Sequence, residues 1–179
     1  MTICQMAGAC CSGSTAGYVS TFPKAILISE DLRNFSAMTG DPHTGGTGFH
    51  AQWDANFVHP VRAAVITPED GQRSMDAVRD AVLNRYNGDA FRRVVYSESH
   101  DEVANGKARV PQEIDGNDAT GWFARKRSTL AAALVMTARA SRCCSRARSF
   151  SKGSGFATMY RWTGTNNKPF AASSCSTAT

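Results

Sequence analysis

Short apolar runs alternate with longer helical periods through the middle of the chain. Residues 25–28 form one continuous apolar run, and residues 92–96 contain another. Continuous runs of this length are typical of parallel strands that are covered on both faces. The aromatic stretch at residues 49–54 lies between them and predicts a third short strand, or the exit from one.

Helical periodicity occupies the segments between and after these runs, at residues 60–66, 74–86 and 122–138. Ser74 is a suitable N-cap for the second segment, and the Asn87-Gly88 pair is a suitable end for it. Apolar positions share one face of this segment: Met75, Val78, Val82 and Leu83. A strand, helices, a further strand and a helix in this order predict an α/β fold with a parallel sheet.

Both flanks lack any such period. Residues 1–21 are small and polar, and residues 139–179 are rich in Ser, Arg, Thr and Gly. All six cysteines lie in these flanks, whereas all four histidines lie between His43 and His100. We therefore divide the chain into a disordered or non-native flank at 1–21, a structured unit at 22–138, and a basic non-native tail at 139–179.

The overall composition predicts a cytoplasmic protein with neither a membrane nor a nucleic acid as partner. No apolar stretch is long enough to span a bilayer, and the first residues do not resemble a secretory signal. The net charge of +5 comes largely from arginines between Arg139 and Arg148. The adjacent pairs Cys10-Cys11 and Cys143-Cys144 do not have the spacing of zinc ligands, so no metal site is predicted.

Acidic side chains follow two of the predicted strands directly. Glu30 and Asp31 come after the run at 25–28, and His100, Asp101 and Glu102 come after the run at 92–96. Residues at the carboxyl ends of barrel strands point into the mouth of the barrel, where such enzymes build their sites. This placement predicts a carboxylate site at one edge of the sheet.

Between Phe22 and Ala138 these segments resemble the alpha-amylase superfamily of retaining glycoside hydrolases and transferases, and within it the 1,4-alpha-glucan branching enzyme type. The resemblance is carried, in order, by residues 25–32, residues 48–54 and residues 99–103, with the Gly106-Lys107 pair after them. It implies an incomplete (β/α)8 TIM barrel, the C-terminal half of a catalytic barrel. Its substrate class would be alpha-glucan, namely glycogen, starch or maltooligosaccharide.

The resemblance also implies a role for each candidate residue. Glu30 would be the general acid/base, Asp101 would bind sugar hydroxyls and favour the distorted ring, and His100 and Trp53 would bind substrate. A retaining enzyme needs a second carboxylate as nucleophile, roughly 5 to 5.5 Å from the proton donor. In the family that aspartate lies in a G-F-R-x-D motif, which this chain lacks, so the fragment should be inactive alone. The chemistry needs no cofactor, and no cluster of oxygen ligands predicts the calcium ion of some relatives.

Structural roles remain open for the same residues. Glu30 is also a suitable acid for the start of a helix, and Asp101 for a loop cap. His100 would then be an interior histidine with satisfied hydrogen bonds. Trp53 and Trp122 either stack on sugars or pack in the core.

A change of reading frame would account for both flanks. After the helix at 122–138 the family continues with Pro-Gly-Ile-Pro, and codons permitted for residues 139–150, shifted by one base, encode that continuation. Residues 1–21 can be re-read in the same way as a family helix. Two other functions stay open: a non-catalytic alpha-glucan-binding remnant, and a nucleic-acid binder based on the arginines of the tail.

Overall fold

The computed structural model of the protein describes residues 3–6, 12–103 and 108–142. Five strands are present in this part: β1 (Ile3–Met6), β2 (Ile26–Ser29), β3 (Ala51–Trp53), β4 (Arg93–Val95) and β5 (Ser141–Arg142). Six α-helices accompany them: α1 (Ser12–Thr21), α2 (Ala55–Ile66), α3 (Met75–Leu83), α4 (His100–Val103), α5 (Val110–Ile114) and α6 (Trp122–Thr137). Short 3-10 turns occupy much of the connection between β2 and β3.

The five strands form one parallel sheet in the order of the chain, β1-β2-β3-β4-β5. Ser29 lies opposite Gln52, and Gln52 in turn lies opposite Arg93. The prediction of an α/β fold with a parallel sheet is therefore confirmed. Its closure into half of a barrel stays a prediction, although strands that neighbour one another in sequence order are what an arc of a barrel requires.

Successive side chains of a strand point to opposite faces of the sheet, and two apolar layers cover these faces. Val95 packs with the helices in a cluster that includes Phe57 and Val61 of α2, Val110 of α5 and Val135 of α6. Residues from the opposite strand face form a second cluster, together with Val58 of α2: Ala51, Trp53, Val94 and Tyr96. Val95 and Val94 contribute to different layers, so β4 is packed on both faces, whereas β3 contributes Ala51 and Trp53 to the second layer.

The predicted strands agree with the observed ones to within one or two residues, and the helices agree in kind. The helix expected at 60–66 begins earlier, at Ala55, and contains Pro60 in its interior. Ser74 caps α3 as predicted, since its hydroxyl accepts a hydrogen bond from the Ala77 amide. That helix ends at Leu83, and the Asn87-Gly88 pair forms a separate turn in which both residues have positive φ.

The described parts of both flanks contain regular structure, for which the sequence pattern gave no signal. β1 pairs with β2 along four residues, and α1 places Tyr18 and Val19 against the buried Leu27 and Phe49. In the tail, β5 pairs with β4. The physical reason is that a parallel sheet offers unpaired backbone groups at each edge, which even a short segment can satisfy. The division of the chain at 21 and 138 stays a prediction.

Candidate functional site

Glu30 is the residue that directly follows β2, and its side chain is partly buried. Ser29 lies opposite Gln52 in the register, so Glu30 lies at the same edge of the sheet as Trp53. The Gln52 side-chain amide donates a hydrogen bond of 2.9 Å to the carbonyl of Asp31. Gln52 is completely buried and thereby fixes the backbone next to Glu30.

Asp31 forms an ion pair with Arg33 within its own loop. Its carboxylate accepts hydrogen bonds from both the backbone amide and the guanidinium of Arg33. The hydrogen bond from the Arg33 side chain is the main cause that lowers the pKa of Asp31, and it outweighs the opposing effect of burial. Asp31 is thus an ionised anchor of the loop rather than a second proton donor.

A buried polar network joins the end of β3 to the start of β4. The Asp54 carboxylate and the Arg93 guanidinium are 2.9 Å apart, and both side chains are completely buried. Arg93 also donates to the carbonyls of Ala81 and Val82, at 2.6 Å each, and so binds the end of α3.

The Tyr86 hydroxyl completes this network, since it lies 3.2 Å from Asp54 and 2.9 Å from the Asn34 side-chain oxygen. Burial is the main cause that raises the pKa of Tyr86, and the charge of Asp54 adds to it. A hydroxyl that stays protonated keeps its donor capacity, so the link between Asn34 of the β2–β3 loop and the segment after α3 does not depend on ordinary changes of pH.

Trp53 packs against Tyr96 at this edge, with their ring centroids 4.9 Å apart. Trp53 is only 3% exposed and Tyr96 is fully buried. A ring that stacks on a sugar needs one free face, and Trp53 has none. Its burial therefore favours the packing role over the role of a stacking platform.

The backbone of His100 opens α4, and Asp101 follows it with an exposed side chain. The side chain of His100 lies outside the described part of the structure. Two hydrogen bonds hold the residues that connect β4 to this helix. The Ser99 hydroxyl accepts a hydrogen bond from the Glu102 amide, and the buried Glu98 carboxylate accepts one from the Val110 amide at 2.8 Å.

The sheet brings Glu30 and the segment of Asp101 to one edge, with a single strand between them. Neighbouring strands are about 4.8 Å apart, so β2 and β4 are separated by about 10 Å. Among the described residues, no group of three His, Cys, Asp or Glu side chains is arranged to hold a metal ion.

Two surface clefts are lined by residues that the structure describes. One, of about 400 Å³, is lined by Trp122, Arg125, Lys126 and Thr129 on α6. The other, of about 380 Å³, includes His50 and Arg92, which precede β3 and β4 and so belong to the amino edge of the sheet. Trp122 is 66% exposed, which is the reverse of the burial of Trp53.

Sequence reasoning missed three buried polar residues that support the site: Gln52, Arg62 and Arg93. Arg62 gave a usable signal, because it falls on the apolar face of α2 that Val58, Val61 and Val65 define. Gln52 and Arg93 lie inside strands, where the partners that make a buried polar group tolerable come from distant residues.

The fold and the site together describe an α/β protein with acidic residues at the carboxyl edge of a parallel sheet. No family model matches the chain. Over about half of its length, however, the chain is similar to bacterial 1,4-alpha-glucan branching enzymes. It is 28% identical to branching enzyme GlgB of Bacillus subtilis over 96 residues, which are 54% of this chain and 15% of that protein.

Other branching enzymes give similar values. The chain is 29% identical to GlgB 1 of Xanthomonas oryzae pv. oryzae over 97 residues, or 54% of the chain and 13% of that protein. It is 28% identical to GlgB of Prochlorococcus marinus over 112 residues, or 61% and 14%. The chain thus covers 13 to 15% of the length of these relatives. Over the residues that the structure describes, no helix has the length and apolar character that crossing a membrane requires.

Proposed function

We propose that the chain carries part of an alpha-glucan-active site of the branching-enzyme type, on half of a (β/α)8 barrel. Glu30 is the general acid/base, Asp101 binds sugar hydroxyls and favours the distorted ring, and His100 supports it. The observation that carries this proposal is the parallel order of β2, β3 and β4, which brings Glu30 and the Asp101 segment to one edge. The similarity to branching enzymes supports the same substrate class, namely glycogen, starch or maltooligosaccharide.

The surroundings of Glu30 support its role as a proton donor. A general acid needs a raised pKa, and a partly apolar setting is the usual means of raising it. Trp53 and Tyr96 supply apolar surface at this edge, and the ionised Asp31 is held by Arg33. In the proposed site, Trp53 serves by packing beneath Tyr96 rather than by stacking on the sugar. Glycosyl transfer by carboxylates needs no cofactor.

The proposed fragment has no catalytic nucleophile. In the resemblance, that aspartate belongs to the strand that precedes Glu30, and β1 occupies the position next to β2. Residues 1–21 contain neither Asp nor Glu. No covalent glycosyl intermediate can form on such a strand, so we expect sugar binding without turnover.

Titration of the purified chain with maltoheptaose in a calorimeter tests the binding site. We expect the wild-type chain to bind, and Asp101→Asn to weaken binding by about tenfold, since a hydrogen bond that a charged carboxylate accepts contributes about 1.5 to 3 kcal/mol. Asp76→Asn is the matched control, because Asp76 is exposed on α3 and should leave the affinity unchanged. Equal binding by wild type and Asp101→Asn would contradict the role of Asp101.

The absence of turnover is tested with amylose, through the loss of iodine colour and the appearance of branched chain lengths. We expect neither the wild-type chain nor Glu30→Gln to change the amylose. Branching by the wild-type chain would overturn the proposed lack of a nucleophile. If Glu30→Gln then abolished that activity, the acid/base role of Glu30 would still stand.

A second candidate function, a non-catalytic alpha-glucan-binding module, is favoured by the exposed Trp122. Its indole borders the cleft on α6, and Lys126 Nζ lies 5.9 Å from the ring centroid. An exposed ring beside hydrogen-bond donors is a common sugar platform. Loss of maltoheptaose binding in Trp122→Ala, with Asp101→Asn unaffected, would establish this alternative in place of the strand-edge site.

The proposed frame changes at both flanks are tested by the gene itself. Resequencing across the codons for Thr21, Phe22 and residues 138–140 should reveal a missing or added base at each junction. The corrected frames should then join a longer open reading frame that encodes a G-F-R-x-D segment. An unchanged sequence, with no such frame beside it, would make the flanks genuine parts of this protein.

A further inference from the structure

We infer that Arg62 of α2 is a positioning residue for Asp101. This inference rests on the function proposed above, because Asp101 is there the residue that contacts the sugar. Arg62 contacts the segment that carries Asp101, and it acts on the sugar only through that segment.

Arg62 holds this segment at several points. One guanidinium nitrogen donates to the carbonyl of Ser97 at 3.1 Å, and the other donates to the carbonyl of Ala108 at 3.4 Å. Ser97 precedes α4 and Ala108 follows it. A single side chain therefore connects the residues on either side of the α4 segment that contains Asp101.

Two carboxylates complete the set of partners. Glu102 of α4 lies 3.7 Å from Arg62 Nε, and Glu113 of α5 lies 2.6 Å from a terminal nitrogen. Arg62 is only 6% exposed, so its charge has lost most of its hydration. A buried guanidinium that lost one of these partners would be destabilised, and its planar fork admits few other arrangements. Because all four partners share one guanidinium, the loss of one contact would weaken the others.

The direction of Asp101 follows from the position of Glu102. Successive residues of an α-helix point about 100° apart, so a helix turn that faces Glu102 towards Arg62 directs Asp101 elsewhere. Glu102 is partly buried and Asp101 is exposed, in agreement with this geometry. Without Arg62, α4 would keep its helical hydrogen bonds but would lose the contact that sets its rotation about its own axis.

Hydrogen exchange on the ligand-free 179-residue chain tests the physical link on its own. In Arg62→Gln we expect the amides of residues 97–103 to exchange about tenfold faster, while those of α3 exchange at the wild-type rate. Arg73→Gln is the matched control, because this mostly buried arginine also binds carbonyls, those of Thr67 and Pro68, away from the segment. Unchanged exchange at 97–103 in a folded Arg62→Gln chain would overturn the inference.

A thermodynamic cycle with maltoheptaose tests the link to function. We expect Arg62→Gln to weaken binding by about tenfold in the wild-type background and to have no further effect in the Asp101→Asn background. A merely structural role for Arg62 would lower the affinity in both backgrounds by the same factor. Arg62→Lys, which keeps the charge but not the fork, should restore part of the loss, and it replaces Arg62→Gln if that variant does not fold.

The two proposals fail in different ways. If the wild-type chain does not bind maltoheptaose but Arg62→Gln still loosens residues 97–103, the proposed function is wrong and the positioning contact stands as a fact of the fold. If the wild-type chain binds and Arg62→Gln weakens binding equally in both backgrounds, the site stands and the positioning role is wrong.

Discussion

Asp54 and Arg93 form a completely buried ion pair between the end of β3 and the start of β4. Removal of one partner leaves the other charged in a site that water does not reach, which costs about 3 to 5 kcal/mol in typical proteins. We therefore expect Asp54→Asn to lower the free energy of unfolding by about that amount, as measured by urea denaturation. Asp76→Asn breaks an exposed pair with Arg79 and should change it by less than about 0.5 kcal/mol. Similar effects of the two variants would contradict the assignment of the Asp54–Arg93 pair as structural.

Asp31 gives the stability of the protein a dependence on pH. Its pKa is lower in the folded chain than in the unfolded chain, chiefly because of the hydrogen bond from Arg33. The contribution is therefore complete above the unfolded value of about 3.9, and it is lost as the pH falls through the lower folded value. We expect the free energy of unfolding to fall less steeply below about pH 4 in Asp31→Asn than in the wild type. Arg33→Gln should flatten the same part of the curve, and a wild-type slope in both variants would contradict this account.

The N-cap of α3 is a local feature that acts on a whole element. The Ser74 hydroxyl accepts a hydrogen bond of 3.2 Å from the Ala77 amide. We expect Ser74→Ala to destabilise the protein by about 1 kcal/mol, in chemical denaturation followed by circular dichroism. Ser128→Ala is a suitable control, because Ser128 lies inside α6 and donates to the carbonyl of Arg125. That change should be neutral or slightly stabilising, since alanine has the higher helix propensity.

Elements whose signals lie within a few neighbouring residues were predictable from the sequence, whereas element boundaries that depend on contacts with distant residues were not. The apolar run at β2 and the cap of α3 act within a few residues. In contrast, α3 ends at Leu83 rather than near Tyr86, because Asn84 and Tyr86 turn back to contact Asp54. The start of α2 at Ala55 was hidden by Pro60, which usually marks a first helical turn. Burial of Phe57, Val58 and Val61 compensates there for the hydrogen bond that the proline removes.

The residues of the candidate site likewise divide into those that the sequence could predict and those that it could not. Glu30 and Asp101 could be proposed from the sequence because each follows an apolar run, and parallel strands bring their carboxyl ends to one edge. Arg62 and Gln52 act across long sequence separations, to the carbonyl of Ser97 and to the carbonyl of Asp31 respectively. Backbone carbonyls carry no sequence signature, so the place of Arg62 on the apolar face of α2 could indicate its burial but not these contacts.

At the scale of the whole molecule, the question is whether the N-terminal flank contributes to the stability of the sheet. β1 covers one side of β2, and α1 brings the partly buried Tyr18 and Val19 onto Leu27 and Phe49. Thr15 adds a hydrogen bond to the carbonyl of Thr47 in the β2–β3 loop. These contacts stabilise β2, the strand that precedes Glu30. The sequence of the flank has no period that predicts them.

Deletion of residues 1–21 tests whether this flank is a stabilising part of the sheet or a segment without evolved structure. Because β1 pairs with β2 and α1 packs on Leu27, the deletion exposes β2 and part of Leu27. The free energy of unfolding should then fall by roughly 2 kcal/mol, given the apolar surface that Tyr18 and Val19 cover. Light scattering should also rise with concentration, because an uncovered edge strand pairs with other chains. Tyr18→Ala in the full chain should reproduce the loss of stability without exposing the backbone of β2, and so without the added scattering. An unchanged stability after the deletion would instead support a flank that has no evolved structure, with residues 22–138 as the folded unit.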